Sequence, residues 1–258
     1  MSGARQEKAV TFEGIKWRLN PTPPKASMFP TNIPTLDEHL GGGLPFGLTC
    51  IYGGAGVGKS ELARSIALQC AKSGEYILYF CCEVLSDAPK HESIDVVDYT
   101  RYLPNAKRAV NEMNLFIDEL EPSLVILDSM TSFFSISRKA LPESELREVI
   151  SQVHTSCEGK LPILGISEIR GTGYNETTAG GEGVRHANTC LIYLEKKVIR
   201  FKSDAEAYGL DMSDVAYFLN VEKHKWGTAK THRVRVMYDD DEKFMPILVG
   251  KRSGGIIG

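Results

Sequence analysis

The chain has 258 residues, 42% of them apolar and 24% charged, and a formal net charge of −3. This suffices for one α/β domain with a sizeable core, and the mild acidity excludes a global basic field, so any contact with nucleic acid must rest on a local patch. Its six cysteines (Cys50, Cys70, Cys81, Cys82, Cys157, Cys190) show no C-x-x-C spacing and sit mostly in apolar runs, and no run reaches membrane-spanning length; these features argue against a disulfide frame, a zinc site or a membrane protein and point to a reducing, cytoplasmic setting.

Residues 1–30 are polar and punctuated by Pro21, Pro23, Pro24 and Pro30, with one expected strand at Val10-Thr11-Phe12. They read as an arm or lead-in lying on the domain or on a neighbour, with a disordered tail as the alternative. The core is expected over 31–250, and 251–258 form a tail. A short amphipathic turn from Ile33 to Leu40 is stopped by Gly41-Gly42-Gly43, and Gly47 turns the chain into an apolar strand, Leu48 to Tyr52. A helix follows from Ser60 to Ala71, with Leu62, Ile66 and Ala67 on one face.

Tyr76 to Cys82 is a continuous apolar run, the pattern of a parallel strand buried on both faces. A helical pattern from Asn105 to Leu120 leads to a second such strand, Ser123 to Ser129, which carries Asp128 at its end. Ser144 to Cys157 is amphipathic through Leu146, Ile150 and Val153, and Leu161 to Ser167 is a further strand. A glycine-rich loop, Gly171 to Gly183, separates it from Cys190 to Leu194. Alternation by twos at Val198 to Phe201, Ala216 to Val221 and His232 to Met237 predicts antiparallel strands. The fold class is therefore α/β: a mostly parallel central sheet with helices on both faces, extended by C-terminal antiparallel strands.

Between the first core strand and its helix lies Gly53-Gly54-Ala55-Gly56-Val57-Gly58-Lys59-Ser60, a G-x-x-x-x-G-K-S phosphate-binding loop, with Glu61 in the first helical turn. Glycines let the backbone wrap an anion, and the helix N-terminus adds a favourable dipole. Lys59 is placed to reach the β- and γ-phosphates of ATP, and the Ser60 hydroxyl to ligate Mg²⁺. Asp128, at the end of a buried strand, is the second candidate Mg²⁺ ligand. Glu83 ends the strand after the loop helix, where a carboxylate can orient or deprotonate an attacking water.

These segments together resemble the RecA/RadA/KaiC superfamily of ATPases. Thr31 to Gly47, with its Gly41-Gly42-Gly43, is similar to the family's lead-in, Tyr76 to Glu83 to its strand ending in the catalytic glutamate, and Val125 to Ser129 to its Walker B strand. Thr178 to Glu195 resembles the Gly-Gly-then-His segment, and Val221 to Gly227 the Lys-x-Lys pair. The resemblance spans roughly residues 28–248, with the motifs in the family's order. It implies an oligomer, a hexameric ring or a filament, with nucleotide at the interface and Lys223 and Lys225 reaching a neighbour's phosphate. Where recombinases carry Asn-Gln, this chain has Ser167-Glu168, a departure that resembles the KaiC-like branch more and does not carry over the family's γ-phosphate sensor; Glu168 is kept among the candidate catalytic residues. With no recombinase-type helical domain ahead of the core in this sequence, a single-core protein like the short RadA paralogues is expected.

The resemblance also implies two loops facing single-stranded DNA. Here they are Met130 to Leu141, with Phe133, Phe134, Arg138 and Lys139, and Gly171 to Gly183, flanked by Arg170 and Arg185. Aromatics beside cations suit base stacking, although Phe133 and Phe134 also suit core packing. A regulatory ATPase acting through protein partners, without DNA, is the alternative.

Overall fold

The computed structural model describes residues 8–12, 15–19, 28–83, 85–99, 106–133, 143–170, 177–178, 185–208, 210–225, 234–238 and 244–248. The arm forms β1 (Lys8–Phe12) and β2 (Ile15–Leu19), an antiparallel hairpin that extends the single expected strand. A second small pair follows: β3 (Met28–Phe29) lies antiparallel to β4 (Leu44–Pro45). Between them runs α1 (Pro34–Leu40), whose end is capped by Gly41 in the left-handed conformation. At its start, the Asp37 carboxylate accepts bonds from the Thr31 amide and hydroxyl at 2.8 and 2.7 Å. The proline at the first helical position and the glycine beyond the last are what start and stop this turn.

The central sheet uses β5 (Gly47–Gly53), β6 (Ile77–Cys81), β7 (Ile94–Asp98), β8 (Leu124–Asp128) and β9 (Pro162–Arg170), with β10 (Thr177–Thr178) paired to β9. It continues through β11 (Cys190–Val198), β12 (Val215–His224), β13 (Val234–Tyr238) and β14 (Phe244–Leu248). The order is β14-β13-β12-β11-β5-β9-β8-β6-β7. From β11 to β7 every pairing is parallel, and from β11 to β14 every pairing is antiparallel. The expected mixed sheet is thus present.

The helices are α2 (Lys59–Lys72), α3 (Ala106–Leu120), α4 (Met130–Phe133), α5 (Glu143–Cys157) and α6 (Lys202–Tyr208). Each residue of β5, β6 and β8 is buried, which is why these strands read as unbroken apolar runs. One face packs Ile51, Tyr79, Ile126 and Ile166 against Leu62, Ile66 and Ala67 of α2. The other packs Leu48, Phe80 and Leu127 against Val110 and Met113 of α3 and Ile150 and Val153 of α5. One expectation fails: Val198 to Phe201 is not a separate strand. Val198 closes β11, Ile199 donates its amide to Asp214 O, and the Phe201 carbonyl starts α6 by accepting from Asp204 and Ala205. The side chain of Ile199 buries beside Ala205, Ala216 and Phe218, so the alternation reflects a small satellite core.

Candidate functional site

The parallel strands carry the reactive side chains at their C-terminal ends, where open α/β sheets bind ligands. β5 delivers the chain to Gly53, where a Cβ would lie 2.2 Å from the Leu194 carbonyl oxygen of β11; only glycine lets the two strands approach this closely here. Gly58 has φ 89° and precedes the first residue of α2, so the loop turns into a helix N-terminus whose amides face outward toward an anion. Ala55 and Gly56 are exposed, whereas Val57 is buried and anchors the loop.

Lys59 is 8% exposed, and its ammonium donates to the carbonyls of Gly53 at 2.9 Å and Gly54 at 2.7 Å. Burial pushes its pKa below the ordinary value, and the carboxylates of Glu168, Glu83 and Asp128 oppose that shift. Ser60 Oγ donates to Asp128 Oδ1 at 2.9 Å, and the Tyr79 hydroxyl donates to Asp128 Oδ2 at 2.5 Å. Burial raises the Asp128 pKa, while the bonds from Tyr79 and Ser60 act the other way. A buried carboxylate facing a serine hydroxyl is an all-oxygen donor pair suited to Mg²⁺. A cation there would also offset the cost of burying the charge. Ser60 and Asp128 therefore fit the expected metal, which would neutralise phosphate charge.

Glu83 is exposed just beyond β6; its Oε1 accepts from Ser129 Oγ at 2.6 Å and Ser132 Oγ at 3.3 Å. Glu168 lies on β9 opposite Gly53, exposed toward the same opening, with its amide on Thr131 Oγ1 at 3.3 Å. Lys59, Ser60, Glu61, Glu83 and Glu168 share one cleft of about 440 Å³ with Ala55, Gly56 and Gly58. The structure thus brings the loop, both expected Mg²⁺ ligands, and Glu83 and Glu168 together. Tyr79, Ser129, Ser132 and Arg64 also belong to this site and were not foreseen. Arg64 contacts Glu61 and lines an adjoining recess with Tyr79 and Asp128. A phenol in an otherwise thiol-and-hydrocarbon strand, four residues before Glu83, was the one available signal for Tyr79.

Lys223 and Lys225 lie elsewhere. β12 runs antiparallel to β11, so Lys223 is level with Leu191 and, through it, with Cys50. That is three residues, roughly 10 Å, before the loop begins. Lys223 Nζ donates to the carbonyls of Arg185 at 2.7 Å and His186 at 3.0 Å, and Lys225 pairs with Glu158 just beyond α5. The pair therefore lies toward the N-terminal ends of the strands and away from its own phosphate loop, with Lys223 level with the middle of β5 and Lys225 nearer its start.

For Phe133 the core-packing alternative is the one realised. It is 1% exposed and packs edge-on to Phe80 and Tyr99, with ring centroids 5.5 Å away in each case. It is core, not a stacking platform. Phe134, Arg138, Lys139 and most of the second loop, including 171–176 and 179–184, lie outside the described residues.

A family model described as the NACHT domain matches residues 47–161, from β5 to the edge of β9. Among curated proteins, the chain is 26% identical over 163 residues to the DNA repair protein RadA of Chlamydia trachomatis, an overlap covering 60% of this chain and 35% of that one. It is 35% identical over 108 residues to RadA of Mycolicibacterium smegmatis, covering 40% and 22%. It is 26% identical over 183 residues to the DNA repair and recombination protein RadB of Methanococcoides burtonii, covering 62% and 80%. The match spans about a third or less of these RadA proteins.

Proposed function

The chain carries a RecA/RadA-type P-loop NTPase core, and on that premise we propose that it binds and hydrolyses Mg-ATP in recombination or repair, acting on or regulated by single-stranded DNA. The observation that carries the ATPase reading is the convergence of four groups on one cleft: Lys59 on the loop, Ser60 beside Asp128, and Glu83 across from them. Lys59 is already folded over the loop, so a phosphate entering there replaces the carbonyls of Gly53 and Gly54 as its partner. Glu83, held by Ser129 and Ser132, orients the attacking water and takes its proton. Glu168 supplies a polar contact near the γ-phosphate.

The position of Lys223 and Lys225, level with the middle and first half of β5 and away from their own loop, supports a role on a neighbouring subunit's phosphate. They would act there as cations supplied in trans. The DNA part of the reading rests on the names of the relatives. Burial of Phe133 and the presence of Glu168 favour the second reading, a KaiC-like regulatory ATPase that signals to protein partners. Steady-state ATP turnover with and without single-stranded DNA tests both. Turnover that rises with DNA and falls back with salt supports the first; turnover indifferent to DNA, with no binding by fluorescence anisotropy at low salt, supports the second.

A further inference from the structure

The two carboxylate oxygens of Asp128 are held by different elements. Oδ1 accepts from Ser60 at the head of α2, at 2.9 Å, while Oδ2 accepts from Tyr79 of β6, at 2.5 Å. In the parallel pairing of β6 with β8, Tyr79 is level with Ile126 and Cys81 with Asp128. Residues two apart in a strand share a face, so Tyr79 and Asp128 lie on one side of the sheet, offset diagonally. Cys81 stands directly opposite Asp128, but a thiol is a short, weak donor. The longer tyrosine reaches the carboxylate from within the core. Tyr79 is 1% exposed and packed in the same cluster as Leu62 and Ile66. A phenylalanine would fill that space without bringing a polar group that needs a partner.

We propose that Tyr79 is a positioning residue for the cation site: it fixes Oδ2 on the core side and so turns Oδ1 toward Ser60 and the metal that accompanies the nucleotide. This rests on the Mg-ATP reading above. Outer-shell partners of this kind are worth about 10–100-fold in metal affinity. Tyr79→Phe removes only the hydroxyl, so the packing is kept and the carboxylate is freed to rotate.

The test is calorimetric binding of a non-hydrolysable ATP analogue to the full chain, once with magnesium and once with EDTA. Tyr79→Phe should weaken binding about tenfold or more with magnesium and leave the EDTA value unchanged. Asp128→Asn should weaken the magnesium arm too, and adding Tyr79→Phe to it should then cost nothing further, because the two act as one unit. An unchanged magnesium arm in Tyr79→Phe overturns the proposal. So does equal weakening in both arms, which would mean that Tyr79 supports the loop itself. Full additivity of the two substitutions overturns it as well. Wild-type protein that binds the analogue in neither arm removes the Mg-ATP reading on which the proposal stands, a result separate from any effect of Tyr79.

Discussion

Lys59 contributes shape as well as charge. Its ammonium ties the carbonyls of Gly53 and Gly54 together, so Lys59→Ala should abolish turnover and also loosen the loop, while the urea midpoint of the whole domain stays near wild type. A variant with wild-type turnover in a coupled phosphate-release assay would rule out the phosphate role. Glu83→Gln keeps the size and the serine contacts but removes the base; ATP binding should persist while kcat falls about 10²–10⁴-fold. Loss of binding instead would make Glu83 a structural residue. His224 answers to pH. Among the described residues neither of its ring nitrogens has a hydrogen-bond partner, and burial lowers its pKa below the ordinary 6.5. The unfolded chain therefore takes up the proton first as pH falls, and stability present above 6.5 is lost below it. The denaturant midpoint should drop between about pH 7.5 and about pH 5.5, and His224→Phe should make that drop smaller.

At the scale of elements, close strand packing sets the loop's entry. Gly53→Ala would drive a methyl into the Leu194 carbonyl, and should cost about 2–3 kcal/mol in urea unfolding together with nucleotide affinity. Phe133→Ala should cost about 3–5 kcal/mol because α4 closes the aromatic cluster of Phe80 and Tyr99; if DNA affinity fell with stability untouched, the core assignment would be wrong. The same elements explain what could be read in advance. β5, β6, β8 and β9 are legible because strands covered on both sides leave nearly unbroken apolar runs, and the glycine-rich loop is legible because anion wrapping permits few sequences. β7 escaped because it is an edge strand whose Asp95 and Asp98 are exposed. α6 escaped because its seven residues bury Ala205 while Phe201, just ahead of it, is exposed. The partnership of Tyr79 with Asp128 depends on register between two strands whose paired residues, such as Tyr79 and Ile126, lie 47 apart in sequence (126 − 79), a separation that local patterns do not encode.

At the scale of the whole molecule, the reading in trans predicts complementation. Lys223→Ala with Lys225→Ala should lose most turnover yet still bind ATP, and mixing this variant with Lys59→Ala should restore part of the activity, because one type of interface then regains both halves of a site. Absence of rescue, with turnover strictly proportional to protein concentration, would mean that each subunit works alone. The phosphate loop closes the C-terminal end of β5, whereas Lys223 and Lys225 lie beside the middle and first half of that strand, and this separation has a countable consequence. An assembly that sets the loop of one subunit against the lysines of the next joins unlike surfaces, head to tail. An open row of n copies then has one fewer complete site than it has members, whereas a closed circle has as many sites as members. Activity per subunit should climb gradually toward a plateau as an open row lengthens, but jump once and stay level when a circle closes, so turnover measured against assembly size distinguishes the two geometries without an image of either.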